Sequence, residues 1–206
     1  MIKEAIILIG GSGSRFSKLN QPPKHLAKIN GQHIIIYLIK FLKKSGIKKI
    51  ILPLGYKKKF FYKFFKSKTN QKNFSFTLNS EDRDKKKILI KFFDAGLKSS
   101  KLIRIKNSIK YLSESSFLVT YGDGLANVNL KKLFFQYKKK AQKKVFITSY
   151  YKKSQYGHLN ISKNYSVTDF IEKPFFIKPI NIGFFILNKK TFKNFFNKND
   201  ELEREF

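Results

Sequence analysis

The first part of the chain alternates between short apolar runs and longer amphipathic segments. Residues 5–9 and 49–54 are almost entirely apolar, which is typical of strands buried on both faces of a parallel sheet. Residues 34–44 carry apolar side chains at helical spacing and stop at Ser45-Gly46, a plausible helix end, and residues 57–66 can form an aromatic-rich amphipathic helix. The order strand, helix, strand, helix predicts a βαβ unit.

The same alternation continues along the rest of the chain. Further strands are predicted at residues 74–78, 88–93, 116–121, 145–150, 158–161, 167–171 and 182–187. Further helices are predicted at residues 103–112, 130–141 and 191–197, and a polar turn at residues 80–84. The chain has neither an internal repeat nor a linker long enough to divide it. We therefore expect one α/β domain over residues 1–206, with a Rossmann-like, mostly parallel sheet flanked by helices.

Composition adds a strong positive charge to this picture. Lys and Arg total 44 against 13 Asp and Glu, a formal net charge of +31. Such an excess permits a nucleic-acid-binding function. The excess is almost all Lys, however, and the lysine runs are scattered along a chain rich in Asn, Ile, Phe and Tyr, so an AT-rich genome alone can produce it. We therefore rank nucleic acid as an unlikely partner.

Other features of the composition exclude whole classes of protein. Hydrophobic residues make up 42% and aromatic residues 16% of the chain, too much for a disordered basic tail. Because the chain has no cysteine, it has no disulfide, thiolate-bound metal or cysteine nucleophile. No apolar run is long enough to span a bilayer, and residues 5–10 are too short for a signal-peptide core. We expect a cytoplasmic protein that is not associated with a membrane.

A glycine-rich segment follows the first predicted strand. Gly10, Gly11, Ser12, Gly13, Ser14 and Arg15 can curve so that several backbone amides face one phosphate, with the guanidinium adding further donors. The segment is neither a dinucleotide fingerprint nor a Walker loop, because Phe16 replaces the third glycine and no Gly-Lys-Ser/Thr follows. A tight turn without ligand is the alternative.

Two further motifs lie where predicted strands end. Asp123 stands between Gly122 and Gly124, where an uncrowded carboxylate can reach a hydrated Mg²⁺, although Asp-Gly is also a common hairpin turn. Glu172-Lys173-Pro174 can place a lysine against a phosphate, but this lysine is one of forty. Ligands of open α/β sheets bind at the carboxyl ends of strands, so the three segments together predict one site.

Nothing in the sequence favours covalent catalysis. The histidines His25, His33 and His158 lack metal-ligand spacing, and no Ser/His/Asp order stands out. The pattern therefore favours a single displacement assisted by a metal ion and by cationic side chains.

These residues resemble the sugar-phosphate nucleotidylyltransferases, and most closely the glucose-1-phosphate cytidylyltransferases among them. The resemblance rests on residues 10–15 followed by Pro23-Lys24-His25, on Phe117 to Gly124, on Glu172-Lys173-Pro174 and on Asn181 to Asn188. It extends from Ile2 to the end of the chain. It implies the fold of nucleotide-diphospho-sugar transferases, and transfer of CMP from CTP to glucose 1-phosphate with release of pyrophosphate.

The resemblance also implies roles for individual residues. It places Arg15, Lys24 and Asp123 in catalysis, with Mg²⁺ on Asp123. It assigns nucleotide binding to the whole glycine-rich segment and to Lys24, Ser99, Arg104 and Gly122. It assigns sugar-phosphate binding to Gly157, Glu172, Lys173 and Asn181, and it leaves room for a homo-oligomer.

The chain departs from the family pattern at several positions. Ser14 replaces a threonine, His25 replaces the second proline of Pro-Lys-Pro, and Leu102-Ile103 replaces a pair of glycines before Arg104. The chain also stops near the family's C-terminal segment, which supplies a second metal-binding aspartate and part of the oligomer contact. A truncated, non-catalytic nucleotide-binding remnant is therefore the alternative to an active enzyme.

Overall fold

The computed structural model describes residues 2–10, 21–66, 73–76, 88–140 and 145–194. The strands in these residues are β1 (Glu4–Leu8), β2 (Lys28–Ile29), β3 (Gln32–His33), β4 (Lys49–Leu54), β5 (Asn73–Phe76), β6 (Ile88–Asp94), β7 (Ser116–Tyr121), β8 (Phe146–Tyr150), β9 (His158–Ile161), β10 (Val167–Ile171) and β11 (Ile180–Asn188). The helices are α1 (Ile34–Lys44), α2 (Lys58–Lys66), α3 (Lys101–Ile109), α4 (Leu130–Lys140) and α5 (Lys189–Asn194), and a short 3-10 helix spans Lys24–Leu26.

A seven-stranded sheet in the order β5-β6-β4-β1-β7-β11-β8 forms the centre of the fold. Strands β6, β4, β1 and β7 run parallel, whereas β5 and β11 run antiparallel to their neighbours. The carboxyl ends of the four parallel strands consequently share one edge of the sheet. This arrangement confirms the predicted Rossmann-like α/β class and places the candidate motifs after β1 and β7 at the same edge.

Helices cover both faces of the sheet, because successive residues of each strand point to opposite sides. On one face, Ile7, Leu52 and Leu118 pack with buried residues of α1, α2 and α4. On the other face, Ile6 and Val119 pack with buried residues of α3 and with Phe192 of α5. Burial on both sides explains why the central strands have almost uninterrupted apolar sequences.

Most of the predicted elements are found within one or two residues of their predicted bounds. Helix α1 has the predicted bounds, and α3 begins two residues early because the Ser100 side chain accepts a hydrogen bond from the Ile103 amide at 3.2 Å. The predicted turn at 80–84, Ala141 and residues 195–197 lie outside the described residues.

The sequence reading missed a small hairpin next to the candidate site. Strands β2 and β3 pair around Asn30 and Gly31, both with positive φ (+48° and +76°). Asn-Gly is the preferred sequence for a two-residue turn of this kind. Two-residue strands are too short to show a hydrophobic period, so the turn residues were the only available signal.

Strands β9 and β10 form a separate two-stranded antiparallel sheet whose residues are all exposed. This small sheet lies between β8 and β11 in the chain, and three of the four predicted sugar-phosphate residues, Gly157, Glu172 and Lys173, lie on its flanks. Among the helices of the described residues, none is both long enough and apolar enough to cross a membrane.

Candidate active site

The candidate site begins where β1 and β7 end side by side. Leu8 pairs with Tyr121 in the parallel register, and the Gly122 amide donates to the Leu8 carbonyl at 3.0 Å. The Gly124 amide donates back to the Tyr121 carbonyl at 3.3 Å and closes a turn around Asp123. The Asp-Gly turn therefore exists, but it leads toward α4 and not into a hairpin.

Lys24 and Asp123 form an ion pair at this edge, although 98 residues separate them in the chain. Lys24 is the first residue of the 3-10 helix, which packs against α1. Burial alone would raise the pKa of the Asp123 carboxyl, but the hydrogen bond from Lys24 and the charges of Lys24 and His25 hold that pKa below its usual value. The carboxylate is therefore ionised at neutral pH, as a metal ligand must be.

His25 is buried beneath the ion pair, with 5% of its surface exposed. Its ring lies 5.9 Å from that of Phe61, and its Nδ1 atom has no hydrogen-bond partner. Burial lowers the pKa of His25 to about 4, despite the opposing charge of Asp123. His25 is therefore neutral at physiological pH and serves as a packing residue at the position where the resembled family has proline.

Gly122 is required by close packing at the strand end. A Cβ atom at this position would lie 2.3 Å from Cγ2 of Ile9 and 2.8 Å from Cδ2 of His25. We predict that Gly122→Ala lowers the free energy of unfolding by about 1–3 kcal/mol through overpacking. At Gly124 a Cβ atom would meet nothing closer than 3.7 Å, so Gly124→Ala is the matched control. Urea unfolding of both variants checks the prediction, and equal midpoints would contradict it.

Ser99 and Arg104 lie at the ends of β1, β4 and β6. The Ser99 hydroxyl donates to the Ala95 carbonyl, and the Ser99 carbonyl accepts from Nε of Arg104 at 3.1 Å. The guanidinium of Arg104 is buried and reaches Gly10, the first residue of the glycine-rich segment, whose carbonyl accepts from Nη2 at 3.3 Å. The structure thus places Gly10, Ser99 and Arg104 together.

Gly157, Glu172 and Lys173 form a second group beside the β9–β10 sheet. A Cβ atom at Gly157 would lie 2.6 Å from Cζ of Phe170 and 3.0 Å from Oε2 of Glu172. Lys173 pairs with Glu172 at 3.4 Å and has φ of +47°, a backbone conformation that is uncommon for a residue with a Cβ atom.

Asn181 connects this part of the chain to the main edge of the sheet. It lies at the start of β11, and β11 runs antiparallel to β7, so the start of β11 adjoins the end of β7. The Asn181 Oδ1 atom accepts from the Gly183 amide at 2.7 Å, and a Cβ atom at Gly183 would lie 2.7 Å from the Tyr121 ring.

Five of the predicted site residues, Gly11, Ser12, Gly13, Ser14 and Arg15, lie outside the described residues. Their predicted role in nucleotide binding therefore stays a prediction.

Sequence reasoning missed Gly55, which follows β4 as Gly10 follows β1. A Cβ atom at Gly55 would lie 2.3 Å from Nη2 of Arg104, and a Cβ atom at Gly10 would lie 2.6 Å from the Gly55 amide nitrogen. The available signal was a glycine directly after a buried strand, the same signal that drew attention to Gly10 and Gly122.

Comparison with known proteins identifies the family to which this chain belongs. The model of the nucleotidyl transferase family matches residues 4–205, almost the whole chain. This chain belongs to the nucleotidyl transferase family. The resemblance seen in the sequence is thereby confirmed.

Two proteins of known name are similar to this chain over most of its length. The chain is 35% identical over 196 residues to a probable glucose-1-phosphate cytidylyltransferase of Bacillus subtilis strain 168, covering 92% of this chain and 76% of the relative. It is 28% identical over 212 residues to a D-glycero-alpha-D-manno-heptose 1-phosphate guanylyltransferase of Aneurinibacillus thermoaerophilus, covering 98% and 85% respectively.

A solved structure supports the fold. A UDP-glucose pyrophosphorylase complexed with UDP-glucose superposes with a TM-score of 0.68 and 19% identity, covering 98% of this chain and 83% of that structure. At that identity the likeness concerns the fold alone. The names of these three proteins refer to a cytidylyltransferase, a guanylyltransferase and UDP-glucose, so family membership by itself does not select a base.

The side chains at the site fit a magnesium ion that is bound partly by the protein and partly by the substrate. The described residues contain no group of three or more His, Asp or Glu side chains that could enclose a metal. Asp123 offers one ionised carboxylate, 33% exposed, beside a lysine. Magnesium characteristically binds through one or two carboxylates and completes its shell with substrate phosphates and water.

Proposed function

We propose that this nucleotidyl transferase transfers CMP from CTP to a sugar 1-phosphate, with glucose 1-phosphate as the preferred acceptor. The observation that carries the proposal is the Lys24–Asp123 ion pair at the joined ends of β1 and β7, the first of which leads in the sequence into the glycine-rich segment. The cytidylyltransferase relative at 35% identity supports the choice of base and sugar. The alternative is a nucleotide-binding remnant without turnover.

The proposed reaction is a single in-line displacement. A phosphate oxygen of the sugar 1-phosphate attacks the α-phosphorus of CTP, the bond between the α- and β-phosphates breaks, and pyrophosphate leaves with the electron pair. No covalent intermediate on the protein is needed. Catalysis then consists of positioning the two phosphates and neutralising their charge.

The proposed binding residues form two groups, one for each substrate. The glycine-rich segment, Arg15 and Lys24 would hold the triphosphate, and Ser99 and Gly122 would lie beside the nucleotide. Lys173 would grip the sugar phosphate, with Gly157, Glu172 and Asn181 near the hexose. The unusual φ of +47° at Lys173 supports this role, because strained backbone is concentrated at functional sites.

Asp123 would hold Mg²⁺ together with the substrate phosphates, and the bound ion would neutralise charge that builds up on the triphosphate. Lys24 orients the Asp123 carboxylate through their ion pair, and its ammonium group would also be a donor for a phosphate oxygen of the triphosphate. Such a protein would act in the cytoplasm, where nucleoside triphosphates are present, in making a nucleotide sugar for polysaccharide synthesis.

Pyrophosphate release from the purified protein tests the proposal. The assay contains glucose 1-phosphate and Mg²⁺ with CTP, UTP, GTP, ATP or dTTP in turn. We expect turnover with CTP to exceed that with each other nucleotide at least tenfold, since a pocket that hydrogen-bonds one base leaves polar groups unpaired with another. Turnover with a different nucleotide would correct the base. Nucleotide binding without any turnover would establish the remnant instead.

A further inference from the structure

Helix α4 has one buried face and one exposed face. Leu130, Phe134 and Tyr137 are buried in the core on one side of the sheet, because residues three and four positions apart lie on the same side of a helix. At the start of the helix, the Lys132 amide donates to Oδ1 of Asn129 at 3.0 Å and fixes the first turn. The exposed face therefore keeps a fixed direction, away from the sheet.

Four lysines surround one phenylalanine on this exposed face. Successive residues of an α-helix are rotated by about 100°, which places four exposed lysines within about 60° of Phe135 around the helix axis. They are Lys131, Lys132, Lys138 and Lys139. Two of them precede Phe135 and two follow it, and Nζ of Lys139 lies 4.8 Å from the centre of its ring. We call these five residues the lysine–phenylalanine face.

The composition of the chain explains the number of lysines but not this placement. Phe135 is 58% exposed, and it is the only large hydrophobic side chain that is exposed on the helices of the described residues. Helices α1, α2 and α4 cover the same side of the sheet, and none of them contains Asp or Glu. An apolar ring thus stands at the centre of a group of cations, on a helical layer without carboxylates.

The surface of an anionic bilayer matches both parts of this face. Clusters of about four to eight lysines are typical of proteins that bind anionic lipid headgroups, and an exposed aromatic ring can enter the layer of headgroups beside them. Nucleic acid fits less well, because its recognition favours arginine, which makes bidentate contacts with phosphate and guanine. The lysine–phenylalanine face contains no arginine.

We propose that the lysine–phenylalanine face of α4 is a docking surface for an anionic membrane, on which the lysines contact lipid phosphates and Phe135 enters the headgroup layer. The inference goes beyond the proposed function and does not depend on it. It revises the expectation that the protein is not associated with a membrane. That expectation was drawn from spanning segments and signal peptides, whereas a surface contact needs neither.

Vesicle flotation with the full chain tests the inference. The vesicles contain either phosphatidylcholine alone or equal parts of phosphatidylcholine and phosphatidylglycerol, at about 50 and about 500 mM NaCl. We expect the chain to float only with the vesicles that contain phosphatidylglycerol, and much less at the higher salt concentration because the charges are then screened. No binding to these vesicles at the lower salt concentration, or equal binding to both kinds, would overturn the inference.

Two charge-matched variants locate the binding surface. The first combines Lys131→Gln, Lys132→Gln and Lys139→Gln. The control combines Lys106→Gln, Lys110→Gln and Lys190→Gln, three exposed lysines on or next to α3 and α5, which pack on the opposite side of the sheet. We expect the first variant to lose affinity for the anionic vesicles on the order of 10²-fold, about fivefold for each lysine, and the control to change less than about threefold. Equal losses would show that net charge alone is responsible and would overturn the inference.

Phe135→Gln distinguishes a bilayer from other polyanions. Loss of the ring should lower the affinity for the anionic vesicles about tenfold, because its apolar surface no longer leaves water. It should leave binding of polyuridylic acid unchanged, and Ile177→Gln, at a side chain that is 93% exposed, is the control. If Phe135→Gln binds the vesicles as tightly as the unaltered chain, the ring does not enter a bilayer and the inference is overturned. Urea unfolding at the same midpoint would show that every variant is folded, since all the replaced side chains are exposed.

Discussion

Asp123→Asn is expected to lower pyrophosphate release on the order of 10³-fold, comparable to the loss of a principal charge-stabilising group at an active site. The substitution keeps the shape of the side chain but removes the charge that would bind Mg²⁺ and that pairs with Lys24. Because the described residues offer no group of metal-binding side chains around it, little else in them can take over this role. Steady-state assays of pyrophosphate release with CTP, glucose 1-phosphate and Mg²⁺ measure the effect.

Asp169→Asn is the matched control for this variant. Asp169 lies on exposed β10, where its Oδ2 atom accepts only a long hydrogen bond of 3.4 Å from Asn160 among the bonds of the described residues. We expect its activity to be unchanged. Both variants should be folded under the assay conditions, and Asp123→Asn should unfold at a lower denaturant concentration because it loses the ion pair with Lys24. If Asp123→Asn retained more than about a tenth of the activity, the proposed metal role of Asp123 would be excluded.

Acidification from pH 7 to pH 4 is expected to remove about 3 kcal/mol of stability through His25 alone. The pKa of His25 is lowered from 6.5 to about 4 by burial, so the unfolded chain binds a proton in this range that the folded chain does not. Stability from this group is fully present above pH 6.5 and declines as the pH falls toward 4. Urea unfolding at half-unit pH steps measures the slope.

His25→Asn should abolish most of this pH dependence, because asparagine does not titrate. His158→Asn, which alters an exposed histidine, should retain the slope. The lowered pKa values of Asp94 and Asp123 also destabilise the fold in acid, but this loss sets in near the usual aspartate value of 3.8, so between pH 7 and pH 5 the slope comes from His25 and not from these carboxyls. An unchanged slope in His25→Asn would contradict the assignment.

The fold was readable from the sequence because its strands and helices differ in hydrophobic period. The central strands are buried on both faces and therefore have continuous apolar sequences, as at residues 50–52, while α1 shows the 3.6-residue period along its whole length. The strands β9 and β10 were also predicted, but their pairing in a separate exposed sheet was not. The β2–β3 hairpin was not, because two residues cannot define a period.

The candidate site was only partly readable. Gly10, Lys24 and Asp123 were singled out as separate motifs, and the sheet rule predicted that they share an edge. The burial of His25 and the carbonyl contacts of Arg104 left no mark in the sequence, because both depend on residues 50 to 100 positions away. Gly55 went unnoticed although it follows a buried strand in the same manner as Gly10.

The sequence by itself determined the α/β class, the order of its elements and the residue types from which a phosphate site could be built, since hydrophobic period and turn residues are local properties. Only the tertiary structure decided that Asp123 meets Lys24, and that the one arginine of α3 is enclosed by carbonyl groups. Ion pairing and burial depend on distances between strands, and these distances exist only once the parallel sheet has brought its strand ends together.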